Sequence, residues 1–173
     1  MTEQTTQKKY ELLKDDTVEH FGTTLYRIKA LITFGLVGAG QLGGYIETEK
    51  NLDHSGNAWV YDNALVYGDA RVCGDAWVYG NARVCGDARV CGDALVRSFA
   101  VISERKMIFG ASNVGSENGT LTVFNGKYGL IVTRGCFTGT VDEFLSKSKE
   151  VHDDKTHHEY KLLIEVAQSR ILN

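Results

Sequence analysis

"NAWVYDNALVYGDARVCGDAWVYGNARVCGDARVCGDALV", residues 57–96, carries an unbroken period of six. Valine recurs at Val60, Val66, Val72, Val78, Val84, Val90 and Val96, and Ile102 continues the series. Alanine keeps the same register at Ala58, Ala64, Ala70, Ala76, Ala82, Ala88, Ala94 and Ala100, with Gly-Asp or Gly-Asn filling most steps between. Six is a multiple of two but not of 3.6. A helix would therefore scatter the valines around its surface, whereas extended chain points them to one side. Glycine beside Asp or Asn supplies a bend after each short strand, because both tolerate left-handed backbone. Strand and corner in alternation predict a parallel β-helix, three hexapeptides closing one triangular coil of 18 residues.

Coils about 4.8 Å apart would place Trp59 under Trp77 and Tyr61 under Tyr79 on one outer face. Arg71 would stack on Arg89 and Cys73 on Cys91 on another, with Asp69/Asp87 and Asp75/Asp93 as corner columns. The pattern resembles the left-handed β-helix of hexapeptide-repeat proteins. It departs from that family at Tyr61, Tyr67, Cys73, Tyr79, Cys85 and Cys91, where Gly or an acidic residue is frequent. The expected fold is mainly β. A tail and β-hairpin cap over residues 1–40 precede a short left-handed β-helix over 41–104. A C-terminal α+β module over 105–173 follows, strands first and then two helices. Both solenoid ends expose interior valines, so the flanks must cap them.

The N-terminal flank holds "FGLVGAGQLGGYIE", whose Gly38, Gly40 and Gly43 match the spacing G-x-G-x-x-G. That spacing signals a dinucleotide site only where a helix follows inside a strand–helix–strand unit, and none fits before the repeat. Gly38, Gly40, Gly43 and Gly44 are instead expected to turn the chain from N-terminal strands into the first coil. Beyond the repeat, Asn125-Gly126 predicts a hairpin turn, and Thr140/Glu143 and Thr156/Glu159 predict two helix-capping boxes. The second helix would bury Tyr160, Leu163, Ile164, Ala167 and Ile171 along one face.

The C-terminal module resembles the "GSxN…T…GCFxGTxxEF…EY" tail of uncharacterised bacterial and prophage proteins. The match runs through Gly115, Ser116, Asn118, Thr120, Gly135, Cys136, Phe137, Gly139, Thr140, Glu143, Phe144, Glu159 and Tyr160. Glu117 stands where an arginine commonly follows Gly-Ser, so the motif's cation is replaced by an anion at this position. The resemblance implies a phage- or prophage-type protein and no established activity.

The chain has 173 residues, 43% hydrophobic and 24% charged, which describes a globular domain. Net charge −3 gives no basic footprint for nucleic acid. No apolar run approaches the roughly 18–20 residues that span a bilayer. The polar N-terminus lacks the apolar core of a secretion signal, so the expected location is cytoplasmic (the host cytoplasm if phage-encoded), with Cys73, Cys85, Cys91 and Cys136 reduced; the alternative is a Cys73–Cys91 disulfide, if their side chains share a column.

Resemblance to hexapeptide-repeat proteins also implies an acyltransferase, using a coenzyme A donor such as acetyl-CoA and a histidine base. The repeats hold no histidine, which leaves His54 as the nearby candidate and Arg71, Arg83 and Arg89 for the phosphates. His20, His54, His152, His157 and His158 are too scattered for a catalytic metal. The leading expectation, to which that acyltransferase is the alternative, is a non-enzymatic binding or scaffold protein without cofactor or metal. It would be a homo-oligomer (dimer or trimer) that engages a host protein or sequesters a small signalling ligand as counter-defence. Its binding face would comprise Trp59, Tyr61, Tyr67, Trp77, Tyr79, Arg71 and Arg89. The aromatic column is either an interface or covered by a flanking segment of the same chain.

Overall fold

The computed structural model describes residues 7–173, so residues 1–6 of the expected tail lie outside the described residues. The repeat folds as its period requires. Its two-residue strands are β4 (Trp59–Val60), β5 (Leu65–Val66), β6 (Arg71–Val72), β7 (Trp77–Val78), β8 (Arg83–Val84), β9 (Arg89–Val90), β10 (Leu95–Val96) and β11 (Val101–Ile102). They stack in parallel as three faces, β4-β7-β10, β5-β8-β11 and β6-β9. The registers Trp59↔Trp77, Leu65↔Arg83 and Arg71↔Arg89 fix one turn at 18 residues, giving a β-solenoid of about three turns. All seven valines and Ile102 are fully buried.

Each corner needs one left-handed residue. Gly56, Gly68, Gly74, Gly80, Gly86 and Gly92 supply it with φ between 61° and 74°, and Asp62 and Ser98 hold the same position in the series. The Asp62 carboxylate also accepts the Gly80 N–H at 3.0 Å, and Asp75 accepts that of Asn57 at 3.2 Å. Corner carboxylates thus tie successive coils together, the backbone-accepting role such residues favour.

Strands β1 (Tyr10–His20) and β2 (Thr23–Ala30) form an antiparallel hairpin about Phe21-Gly22. Strand β2 pairs with β3 (Leu42–Ile46), which runs parallel to β5 and so forms the first layer of the solenoid. The glycine-rich stretch does not turn at all four expected glycines. Only Gly40, at φ +89°, takes a turn conformation among the four glycines. Gly43 and Gly44 lie within β3, where a Cβ would meet the Val60 carbonyl at 2.5 Å and the Ala64 carbonyl at 2.6 Å. They are required for close approach to the coil above, not for a bend.

The carbonyls at the lower end of the first coil find side-chain donors, as buried backbone groups must. Lys9 Nζ donates to the Ala58 carbonyl at 2.7 Å, and Asn51 Nδ2 donates to those of Ala70 at 2.9 Å and Gly68 at 3.1 Å. Lys9 is almost fully buried, which lowers its pKa to about 8, partly offset by Asp53 and Asp75. Tyr10 Oη donates to the Leu52 carbonyl at 2.6 Å, and its ring enters the solenoid core.

The upper end is closed by an antiparallel sheet of β12 (Ile108–Val114), β13 (Gly119–Gly126), β14 (Gly129–Arg134) and β15 (Phe137–Thr140). Buried Thr122 accepts the Leu95 N–H at 3.2 Å, and buried Thr133 donates to the Leu95 carbonyl at 2.6 Å. Asn125 Nδ2 donates to the Val101 carbonyl at 3.0 Å. That bond explains why the hairpin turn is Lys127-Tyr128 and not Asn125-Gly126: Gly126 still pairs with Gly129 inside the ladder.

Helix α1 (Val141–Val151) begins at the Thr140/Glu143 capping box. Helix α2 (Asp154–Leu172) starts earlier than the sequence suggested. Its N-cap is Asp153, which accepts the Thr156 N–H at 2.8 Å, so Thr156 already lies in the first turn. Tyr160, Ile164, Ala167 and Ile171 of α2 pack with Phe144 of α1 on Leu121, Val123 and Val132 of the sheet, a second core distinct from the solenoid's. No helix among the described residues is long and apolar enough to cross a membrane.

Candidate functional site

The aromatic column divides. Trp59 is fully buried, wedged edge-on against Tyr10 at 6.1 Å and Phe34 at 5.3 Å, so its expected role as an interface residue is overturned. The N-terminal segments cover Trp59 and leave its neighbours part open. Tyr61, in the same coil as Trp59, packs edge-on against Trp77 and Tyr79 of the coil above, each at 5.8 Å, and all three are half-buried. Leu36 is 79% exposed and joins Tyr61, Asp62, Trp77 and Tyr79 around a shallow apolar cavity of about 330 Å³. Arg97 sits 5.1 Å from the Tyr79 ring. Sequence reading missed Leu36 and Arg97, although the period carries Arg97 into the Tyr61–Tyr79 column.

Tyr67 does not belong to this patch. It lies one hexapeptide on, hence one face over, where its hydroxyl is 3.1 Å from His20 Nε2. Burial and a hydrogen bond with Cys85 push its pKa up to about 12.

On the β6-β9 face, Arg71 and Arg89 line a cleft of about 530 Å³ with His54 and Arg105. Arg71 pairs with Asp53 at 3.3 Å and Arg105 with Asp87 at 4.0 Å. Four cations (Lys50, Arg71, Arg89, Arg105) face four carboxylates (Glu49, Asp53, Asp69, Asp87), so the lining has no net charge to favour an anion. His54 stacks on Tyr10 at 4.2 Å, and its Nδ1 accepts the Lys9 backbone N–H at 3.1 Å. Burial lowers its pKa. A neutral ring whose Nδ1 accepts must carry its proton on Nε2. The lone pair that a general base would use is therefore already occupied.

Cys73 and Cys91, on the same face, are joined in a disulfide with Cα atoms 4.6 Å apart, which corrects the expectation of reduced thiols. The 18-residue coil places both in one column, inside the Cα separation that a disulfide spans. Cys85 and Cys136 are free.

The motif residues of the C-terminal module converge in part. Ser116, Cys136 and Phe137 line a cleft of about 340 Å³ with Glu117, Arg134, Phe144, Lys147, Val151, His152 and Tyr160. Gly115, at φ +75°, donates its N–H to Glu159 at 2.7 Å, and a Cβ there would collide with the Tyr160 hydroxyl. Asn118 and Thr120 do not reach the cleft. Asn118 turns the chain at φ +52°, and the Thr120 hydroxyl donates to that of Ser112 at 3.4 Å. Arg134, Lys147 and His152 were missed by the sequence reading. Only the position of Arg134, directly before Gly135-Cys136-Phe137, marked one of them.

Comparison with curated proteins finds no match. The repeat matches the family described as YdcK β-solenoid repeat over residues 58–74, 70–86 and 76–92. The matched segments and the stacked coils agree: the chain is a repeat β-solenoid protein whose central coils are similar to the YdcK β-solenoid repeat.

Proposed function

We propose that the chain is a non-enzymatic binding protein that acts as a homodimer through the open part of its aromatic face. The observation that carries this reading is the patch of Tyr61, Trp77, Tyr79 and exposed Leu36 left uncovered once Trp59 is sealed. Trp and Tyr are the residues that anchor interfaces, and a contiguous apolar patch on a rigid face favours association. A two-fold arrangement would also bring Arg97 at one end of the column near Asp62 at the other end of its mate, a self-complementary pairing of charge. The occupied lone pair of His54 weighs against an acyltransferase using that residue as base. The C-terminal module remains free to meet a further partner, and the prophage resemblance suggests a host protein or a small host signalling ligand.

Light scattering tests the dimer. At micromolar concentration the protein should have about twice the 19.1 kDa mass of one chain, and Trp77→Ser with Tyr79→Ser should return it to one chain. A monomeric wild type, or a variant that stays dimeric, overturns the reading.

A further inference from the structure

The cleft of the C-terminal module is built for a ligand in a way the other cavities are not. Its floor is aromatic: Phe137 meets Phe144 at 5.4 Å, and Phe144 meets Tyr160 at 5.1 Å, both edge-on. Its rim carries two cations from different elements, Arg134 on β14 and Lys147 on α1. Neither has a carboxylate within ion-pair distance among the described residues. Arg134 is half-buried and held in place, its Nε donating to the Tyr160 hydroxyl at 3.1 Å. Glycine at 119 makes room for it, since a Cβ there would lie 2.6 Å from the guanidinium. With Nε engaged, the two terminal nitrogens of the fork remain as donors, the arrangement that suits a carboxylate or phosphate. Glu117 is the opposing charge at the rim, so the two cations outnumber it.

The geometry points to a binding site for a small aromatic anion, a flat ring with one phosphate or carboxylate. The ring lies against Phe137, Phe144 and Val151, and the anion is shared by Arg134 and Lys147. The volume of about 340 Å³ is at the small end of the range for ligand sites, which fits a mononucleotide-sized molecule and excludes a dinucleotide. This site shares no residue with the aromatic face of the solenoid, so it stands or falls apart from the dimer.

Calorimetric titration of the full chain tests it. Adenosine 5′-monophosphate and indole-3-acetate probe the two anion types, and adenosine and indole are the neutral counterparts. At least one anion should bind with a Kd below about 1 mM, at least tenfold more tightly than its neutral counterpart. Lys147→Met, on an exposed helix position, should weaken that binding about tenfold, Arg134→Met should weaken it further, and Glu117→Gln should tighten it. The proposal is overturned if neither anion binds, if the neutral counterpart binds as well, or if Lys147→Met leaves binding unchanged.

Discussion

Trp59→Ala should destabilise the fold by about 3–5 kcal/mol, the cost of deleting a fully buried large aromatic side chain. Trp77→Ala, one coil higher in the same column, should cost only about 1 kcal/mol in the monomer, because its site is half open and removing it leaves no sealed cavity. The contrast arises from the N-terminal segments alone. Tyr10 and Phe34 close over Trp59, and with it gone the hairpin loses a central contact with the first coil in the core they share. The Trp59 indole N–H has no acceptor among the described residues, so Trp59→Phe removes no hydrogen bond and should be much milder than Trp59→Ala. Urea denaturation of the variants, read by circular dichroism, measures all three. Equal losses for Trp59→Ala and Trp77→Ala would mean that the hairpin does not cap the solenoid.

Loss of the Cys73–Cys91 bridge is the second large effect. Closing a loop of 18 residues removes enough denatured-chain entropy to stabilise the native state by about 3 kcal/mol. For a chain of this size that is a Tm lower by about 6–12 °C when the bridge is reduced or when Cys73 and Cys91 are both replaced by Ser. Cys136→Ser, at an exposed free thiol, should leave Tm unchanged. Without reductant, the denatured protein should offer only two of its four cysteines to alkylation, Cys85 and Cys136. Alkylation of all four, or a Tm indifferent to reductant, would show that the bridge does not form.

The solenoid was legible because one physical rule, burial of every sixth residue in extended chain, repeats without interruption from Val60 to Ile102. The same period gave the stacks Trp59↔Trp77 and Arg71↔Arg89. What it could not show is which flanking residue lies over which column. The burial of Trp59 depends on Tyr10 and Phe34, which reach it from segments with no periodic relation to the repeat. The role of Gly43 and Gly44 was not legible for a related reason. A glycine needed for close approach looks the same in sequence as one needed for a turn. The hairpin and the start of α2 were displaced by a few residues, because Asn125 prefers a bond to Val101 and Asp153 reaches the Thr156 N–H first. The C-terminal cleft was half legible. Its motif residues were visible, but Lys147 and His152 come together with Arg134 only when α1 packs on the sheet.

The division of the aromatic column is the claim on which both the capping and the dimer rest, and acrylamide quenching of single-tryptophan proteins reads it directly. Trp77→Phe leaves Trp59 as sole reporter, and Trp59→Phe leaves Trp77. Trp59 should be blue-shifted and protected from quencher at every protein concentration. Trp77 should be more readily quenched than Trp59, and more so on dilution to the 19.1 kDa monomer. A Trp59 as accessible as Trp77 in the dilute protein would contradict the account.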